Sequence, residues 1–495
     1  MQMRIGTVFG LLLGLWLVGV AQVREVWRYM YTPDEPDLLA RLERVVRLQD
    51  GSLLLLGWTE TSLNGQDALA IRLQPNGTAA WVFQRDGARL DDAFVDALEV
   101  RDGQGEALIL LGRFTDADGY LQTRLVRLNP DGQMLQEQIL PRNPQTHLRP
   151  LRLTPRDDGN LDAILAERIA NGQSKLTIYR GPHVWDYALR PWGTVLGTSA
   201  PLGDVPAFVL GTNATLLNGL DAQIEEVVFG GSYRYGGPAR GFDIPLLGTL
   251  LGDWTSPDDG FLVVIQSEGG YTGEDIVVMR FRPVLQFYWG YRYTTAQHDD
   301  FPETLAVDAA GNAYLLARTH FWSGEPFEQR TLRVLKFSPQ GSLQENALLD
   351  IGRSPFDLSP LTGIVRVNSA GQRFIAAHLP PYLARLSENG QPLWIRTPSM
   401  RFQELFTESD GSLIAAGEWM IFNQSGRLED LKLAVIKYAP DGDVDGNGCV
   451  DDADLLRVLF VFGQSGASLL EDMNGDGVVD DADLLQVLFH FGSGC

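Results

Sequence analysis

At 495 residues the chain is too long for one ordinary domain unless that domain is a repeat array, and its 44% hydrophobic content allows a large core. Its formal net charge of −23 argues against nucleic acid and anionic membrane surfaces as partners. The acidity is uneven. From Asp443 onward eleven carboxylates face one arginine, Arg457, a concentration that needs solvent or cations.

The chain opens on a basic residue, Arg4, then an apolar stretch from Ile5 to Val20, then the small-residue run Gly19-Val20-Ala21. That order predicts a secretory signal over residues 1–21, cleaved after Ala21. The rival reading is an uncleaved anchor, the one route by which this chain would meet a membrane, because the stretch is just long enough to span a bilayer. Cleavage implies an extracellular or cell-surface protein. Its two cysteines, Cys449 and Cys495, are then most simply one disulfide.

A phrase then recurs: "ALAIRLQPNG" from Ala68, "TRLVRLNPDG" from Thr123, "RVLKFSPQG" from Arg333, "YLARLSENG" from Tyr382 and "LAVIKYAPDG" from Leu433. Each alternates apolar residues, carries one basic residue (Arg72, Arg127, Lys336, Arg385, Lys437) and ends in a turn, which is the pattern of a strand and its hairpin. The basic residue, on the face opposite its apolar neighbours, is expected to be a solvated edge charge. An apolar strand precedes most copies, and a tryptophan strand often follows (Trp81, Trp185, Trp289, Trp394). Units of strand, turn, strand, loop, strand, turn, strand begin near residues 40, 94, 147, 198, 245, 302, 359 and 402. A period of roughly 43–57 residues is that of a four-stranded propeller blade.

The two ends bear on closure. The last unit stops after its third strand, and "EVWRYMY" around Trp27 is a fourth strand lacking a third. The expectation is a mainly β chain. A single β-propeller of about eight four-stranded blades over residues 22–442, seven being the alternative, is closed by the N-terminal strand so that no sheet edge stays open. The first unit, "GWTETSLNGQDALAIRLQPNGTAAW" from Gly57 to Trp81, resembles the bacterial SBBP-type beta-propeller repeat, with its Gly-x-Thr, its Asp before an apolar strand, its Asn-Gly turn and its Trp. Later units keep the strand and turn and lose the Gly-x-Thr. The family is known mostly by its fold, so the resemblance implies a fold and no activity.

The acidic end contains one phrase twice: "DVDGNGCVDDADLLRVLFVFG" from Asp443 and "DMNGDGVVDDADLLQVLFHFG" from Asp472. The first places Asp443, Asp445, Asn447, Asp451 and Asp454 at positions 1, 3, 5, 9 and 12 of a loop that turns at a glycine, with the carbonyl of Cys449 at position 7. The second does the same with Asp472, Asn474, Asp476, Asp480 and Asp483, and with the carbonyl of Val478. All-oxygen donors at this spacing suit Ca²⁺, so two ions are expected. Position 12 is Asp, no helix precedes either loop, and an apolar helix follows each. Duplicated units of this kind closely resemble the dockerin module of secreted bacterial proteins, over Asp443 to Cys495. The resemblance implies a calcium-dependent docking module for a cohesin-like or cell-surface protein. The positions that read a partner in that family hold Asp452-Ala453 and Asp481-Ala482 here, where hydroxyl residues are common. Leu455, Leu459, Leu484 and Leu488 are expected to pack the two helices together. In such a pseudo-symmetric pair the ends come close, so Cys449–Cys495 is expected to clasp the module, worth roughly 3–4 kcal/mol in the chain-entropy picture.

The chain has no nucleophile elbow, HExxH or P-loop, and its six histidines (His147, His183, His298, His320, His378, His490) lack metal-ligand spacing. The leading functional expectation is a non-catalytic binding scaffold whose propeller offers a surface, a polysaccharide being one candidate ligand. The alternative is a secreted carbohydrate-active enzyme, a glycoside hydrolase or lyase. It would cluster two or three carboxylates at the mouth of the central channel, with exposed aromatic rings for sugar stacking.

Overall fold

The computed structural model describes residues 23–33, 38–61, 65–87, 91–102, 105–141, 147–155, 161–168, 174–180, 183–188, 195–198, 201–202, 205–206, 208–215, 219–226, 232–235, 241–251, 260–268, 273–282, 286–295, 298–321, 329–349, 362–369, 371–378, 381–387, 389–408, 411–423, 428–440, 442–445, 449–466, 469, 471–473 and 478–492. The proposed signal segment, Arg4 to Ala21, lies outside them. No helix among the described residues is long and apolar enough to cross a membrane.

The alternating segments form antiparallel sheets of four sequential strands, the arrangement typical of propeller blades: residues 40–85, 93–139, 147–188, 298–349 and 363–396. Residues 241–293 supply four more sequential strands. The last sheet takes three strands from 400–440 and its fourth from the N-terminus. Val23–Tyr31 runs antiparallel to Leu428–Pro440, with Arg24 opposite Ala439 and Tyr31 opposite Leu433. The unit expected near 198–243 pairs Val195–Thr198, Phe208–Thr215, Gly219–Glu226 and Ser232–Tyr235 antiparallel in chain order, and Gly219–Glu226 also joins Gly241–Leu251 through a short parallel pair, so this unit and the next share one sheet.

Neighbouring sheets bury apolar layers against each other. Leu54, Leu56 and Ala70 of the 40–85 sheet pack with Phe94, Leu110 and Val126 of the next. Ile414, Ala416 and Val435 of the last sheet share a core with Leu42, Leu55 and Ile71 of the first. The first strands of the last, first, second and third sheets touch in that order, as do those of the 241–293, 298–349, 363–396 and last sheets.

Six of these first strands carry a β-bulge near the same position, at Glu43, Val95, Leu151, Leu246, Glu303 and Gln403. Each bulge has a backbone device that permits it. Pro150, Pro245 and Pro302 directly precede three of them, and a proline withholds the N–H that a regular ladder would use. Opposite the other three stand Gly57, Gly112 and Gly417. A Cβ at Gly57 would lie 1.9 Å from the Arg41 carbonyl oxygen, and one at Gly417 would lie 2.1 Å from that of Arg401, so no side chain fits.

The outer strands are latched across sheets. The Trp81 indole Nε1 donates to the Pro130 carbonyl at 3.0 Å, and Trp289 Nε1 donates to Pro339 at 2.9 Å. Both acceptors sit in the proline turn of the following sheet. Trp27 lies on Gly77 as Trp81 lies on Gly132 and Trp289 on Gly341, tying the N-terminal strand to the first sheet. The recurring basic residue corrects the expectation of a solvated edge charge. Arg72 Nη1 donates to the same Pro130 carbonyl at 2.8 Å and pairs with Asp50 at 2.7 Å. Arg280, in the equivalent strand, is buried and donates to Pro339 at 2.7 Å. The guanidinium is long enough to reach the neighbouring sheet, which an alternation pattern within one strand does not reveal.

Two helices complete the described chain, α1 (Asp452–Phe460) and α2 (Asp481–His490).

Candidate metal centre and inner cavity

The sequence after the last sheet turns at Gly442, whose φ of +92° suits only glycine, and enters the first acidic loop. Arg24 of the N-terminal strand donates to the Asp443 carbonyl at 3.1 Å, so the loop is held against the last sheet. Asp443, Asp445 and Asp454 each offer an oxygen within 4.8 Å of the others. Asp443 and Asp454 are fully buried. Three carboxylates gathered so closely, two without solvent, repel one another unless a cation or protons neutralise them. The all-oxygen donor set suits a hard cation such as Ca²⁺.

Asp454 also organises the loop. Its Oδ1 accepts from the backbone N–H groups of Val444 (2.6 Å) and Asp445 (3.0 Å), and its Oδ2 accepts from that of Asp451 (2.9 Å). A carboxylate has about four acceptor sites, so roughly one remains for a cation. Asp451 caps α1: its Oδ1 accepts from Ala453 N at 2.8 Å, completing a reciprocal capping box with Asp454. It is not among the three gathered carboxylates. Asn447 lies outside the described residues.

The second loop repeats the frame. Asp483 is fully buried and accepts from Met473 N (2.6 Å) and Asp480 N (2.9 Å), while Asp480 caps α2 through Ala482 N (2.8 Å). Asp472 stands at the loop's start, and Asn474 and Asp476 lie outside the described residues. The halves are exchanged symmetrically. Gly463, after α1, donates to the Val479 carbonyl at 2.7 Å, and Gly492, after α2, donates to the Val450 carbonyl at 2.7 Å. Val478 forms an isolated bridge with Ser465. Cys449 is half-buried, no free thiol stands among the described residues, and Cys495 lies outside them.

The helix packing corrects one expectation. Val444, Val450, Val458, Val479 and Val487 form the small core, with Leu455 and Leu484 packed against it. Leu459 and Leu488 are about half exposed. A helix advances 100° per residue, so the faces that hold Asp454 and Asp483 in their loops carry Val458 and Val487 inward and turn the following leucines outward.

A second feature lies where four first strands meet. A cavity of about 470 Å³ is lined by Glu43, Arg44, Val45, Val95, Arg113, Pro150, Gln403 and Glu404. It draws on the last, first, second and third sheets, at or beside their bulges. Glu43 pairs with Arg113 at 2.8 Å, Arg44 with Asp96 at 3.1 Å, and Glu404 with Arg366. Burial raises Asp96 above the usual carboxylate range, while Arg44 and the Leu153 N–H at 2.7 Å pull the other way. Glu43 and Glu404 are the two carboxylates among these lining residues, and no aromatic ring is among them.

Sheets of this kind, packed edge strand to edge turn, define the chain as of the β-propeller class. The sequence profile of the beta-propeller domain of unknown function DUF5122 matches residues 108–134, which run through the second and third strands of the 93–139 sheet. No curated protein matches the chain. Among solved structures, the Dos1 propeller is 8% identical over 84% of this chain and 95% of its own, with a TM-score of 0.46. A PL25 ulvan lyase is 9% identical over 86% and 95%, at 0.42. The Penicillium chrysogenum alpha-L-arabinanase complexed with arabinobiose is 12% identical over 69% and 91%, at 0.34. None of these likenesses bears on activity.

Proposed function

We propose that the protein is an exported, non-catalytic binding scaffold: a closed propeller of about eight blades over residues 22–442, seven being the alternative, followed by a dockerin-like tail over 443–495 that folds around two Ca²⁺ ions. The observation that carries this reading is the gathering of Asp443, Asp445 and Asp454 within 4.8 Å, two of them fully buried. Asp443, Asp445, Asn447, Asp454 and the Cys449 carbonyl would hold the first ion, with Asp451 beside it. Asp472, Asn474, Asp476, Asp483 and the Val478 carbonyl would hold the second, with Asp480 beside it. Bound calcium supplies positive charge that lets these carboxylates lie together. The chain's own residues do the rest, through the capping boxes of Asp451 and Asp480 and the backbone clasp of Asp454. A Cys449–Cys495 disulfide would tie the start of the first unit to the end of the second. The tail would dock the propeller to a cohesin-like or cell-surface protein through the helix faces beside Asp452-Ala453 or Asp481-Ala482.

Calorimetric titration of the full chain with calcium, stripped first by EDTA, is expected to show two sites, with helical signal gained on binding. Absence of any calcium-dependent heat or helicity sinks the reading. A carbohydrate-active enzyme is the second reading, favoured by Glu43 and Glu404 in the inner cavity. Each of these carboxylates is already paired with a guanidinium, which suits binding better than proton transfer. A polysaccharide hydrolysis and elimination screen on the intact chain separates the two.

A further inference from the structure

We infer that the cavity between the first strands of the last, first, second and third sheets binds a neutral polyhydroxylated ligand, a saccharide end presenting vicinal hydroxyl pairs. This rests on the reading of the sheets as the binding half of the protein and gives that reading a site and a ligand class.

The size falls within the range of small-molecule sites, at about 470 Å³. The lining charge is balanced, Glu43 and Glu404 against Arg44 and Arg113, in a chain whose net charge is −23. The cavity is thus set apart from the acidic surface. The charges are also held in place before any ligand arrives. Arg113 reaches from the second sheet to Glu43 of the first, and Arg366 reaches from the 363–396 sheet to Glu404 of the last. Cross-sheet pairs of this kind fix the positions of their head groups. They stay reachable: the side chains of Glu43 and Arg113 are 32% and 30% exposed.

An ionic ligand is disfavoured by that same pairing. To bind Arg44 fully, an anion would have to draw it away from Asp96, whose side chain is only 3% exposed and would lose an ion-pair partner in a buried site. A hydroxyl needs no such exchange. Each carboxylate has about four acceptor sites and each guanidinium five donors, so the existing pairs leave capacity on both partners. Two adjacent hydroxyls can donate to the two oxygens of one carboxylate or accept from the fork of one guanidinium. Gln403, the bulged residue of the last sheet, adds an amide whose oxygen is buried without a hydrogen-bond partner. Without an aromatic ring in the lining, recognition would run through hydroxyl edges rather than a stacked sugar face. The repeated bulge supplies the geometry, since a bulge re-aims a side chain that a regular strand would bury or pair.

The test uses the full-length, calcium-loaded protein. Disaccharides of gluco, galacto, manno and arabino configuration are titrated by calorimetry beside uronate and sulfated counterparts. At least one neutral disaccharide is expected to bind, and Glu43→Gln is expected to weaken it at least tenfold. Val95→Trp, which fills the cavity from the bulge of the second sheet, should abolish binding while the thermal transition of the sheets is retained. Binding should survive EDTA, because no lining residue belongs to the tail. A failed calcium reading therefore leaves this result standing. The proposal is overturned if no neutral sugar binds, if charged sugars bind more tightly, if folded Val95→Trp binds as the parent does, or if EDTA abolishes binding.

Discussion

The sheets and the tail bring buried carboxylates to opposite ends. In the sheets, Asp300 is fully buried, and it accepts from the Thr295 N–H at 2.8 Å, the Thr295 hydroxyl at 2.7 Å and the Thr319 hydroxyl at 2.7 Å. Asp92 holds the same place in the second sheet, accepting from Gly87 N and from Thr115 N at 2.8 Å. Each one pins the loop leaving one sheet to the second strand of the next. Large apolar layers surround them and need no ion. Among the described residues the tail's core has five buried valines, and the carboxylates of its first loop are gathered rather than dispersed. One region is held by apolar burial with single polar clasps, the other by charge that a cation must balance.

The largest effect that would separate the two regions is chelation. EDTA is expected to abolish the helical circular-dichroism signal of α1 and α2 and to open residues after Gly442 to protease, while the thermal transition of the sheets stays within about 2 °C of the parent. Asp454→Ala should do the same with calcium present. It strips the acceptor from three backbone N–H groups, at about 1–3 kcal/mol each, against a small core. A coincident loss of sheet and tail would show that the regions fold as one unit.

Asp300→Ala should act on the sheets alone. Three donors lose their acceptor in a buried site, a cost of about 3–5 kcal/mol that urea denaturation measures. Helical signal from the tail should be unchanged.

His378 gives a smaller effect with a defined pH window. Burial, and next the nearby Arg401, push its imidazole from 6.5 down to about 4, and its Nδ1 accepts from Phe402 N at 3.2 Å. The folded state therefore keeps the ring neutral while the unfolded chain protonates it. Its contribution is intact above pH 6.5 and falls away as pH drops toward 4, by up to about 3 kcal/mol. Relative to the parent, His378→Gln should lose less stability across that window in denaturant titrations. Asp92 works with the opposite sign: burial raises it to about 6, so its protonation favours the fold as pH falls from 6. Asp92→Asn should remove that gain.

Trp289→Phe is the smallest change. It keeps an aromatic ring near Phe337, 6.3 Å away in the parent, and loses only the donor to the Pro339 carbonyl, so about 1 kcal/mol is expected. A loss several times larger would mean that the indole's fit on Gly341 dominates the latch.

The sequence by itself determined what depends on local pattern. Alternation, proline turns and tryptophan strands specified four-stranded sheets, because each hairpin is fixed by residues close in the chain. The orphan strand at Trp27 pointed to its partner at Leu428–Pro440 because the last unit lacks the fourth strand that the N-terminal segment supplies. The spacing of Asp443, Asp445 and Asp454 was legible because one short loop carries all three. The bulges also left a signal, the glycine ending "LLLLG" and the prolines Pro150, Pro245 and Pro302, which became readable only once the ladders were laid out. Tertiary structure alone decided the rest. Arg72 and Arg280 look like edge charges until the next sheet places a proline carbonyl within reach. Leu459 and Val458 are both apolar, and only the anchoring of Asp454 in its loop chooses which faces the core. Glu43, Arg113, Gln403 and Glu404 are scattered over 362 positions of the chain and meet because four first strands converge. Side chains drawn together from distant strands leave no periodic trace, since their spacing is set by how sheets pack rather than by the repeat of any one strand.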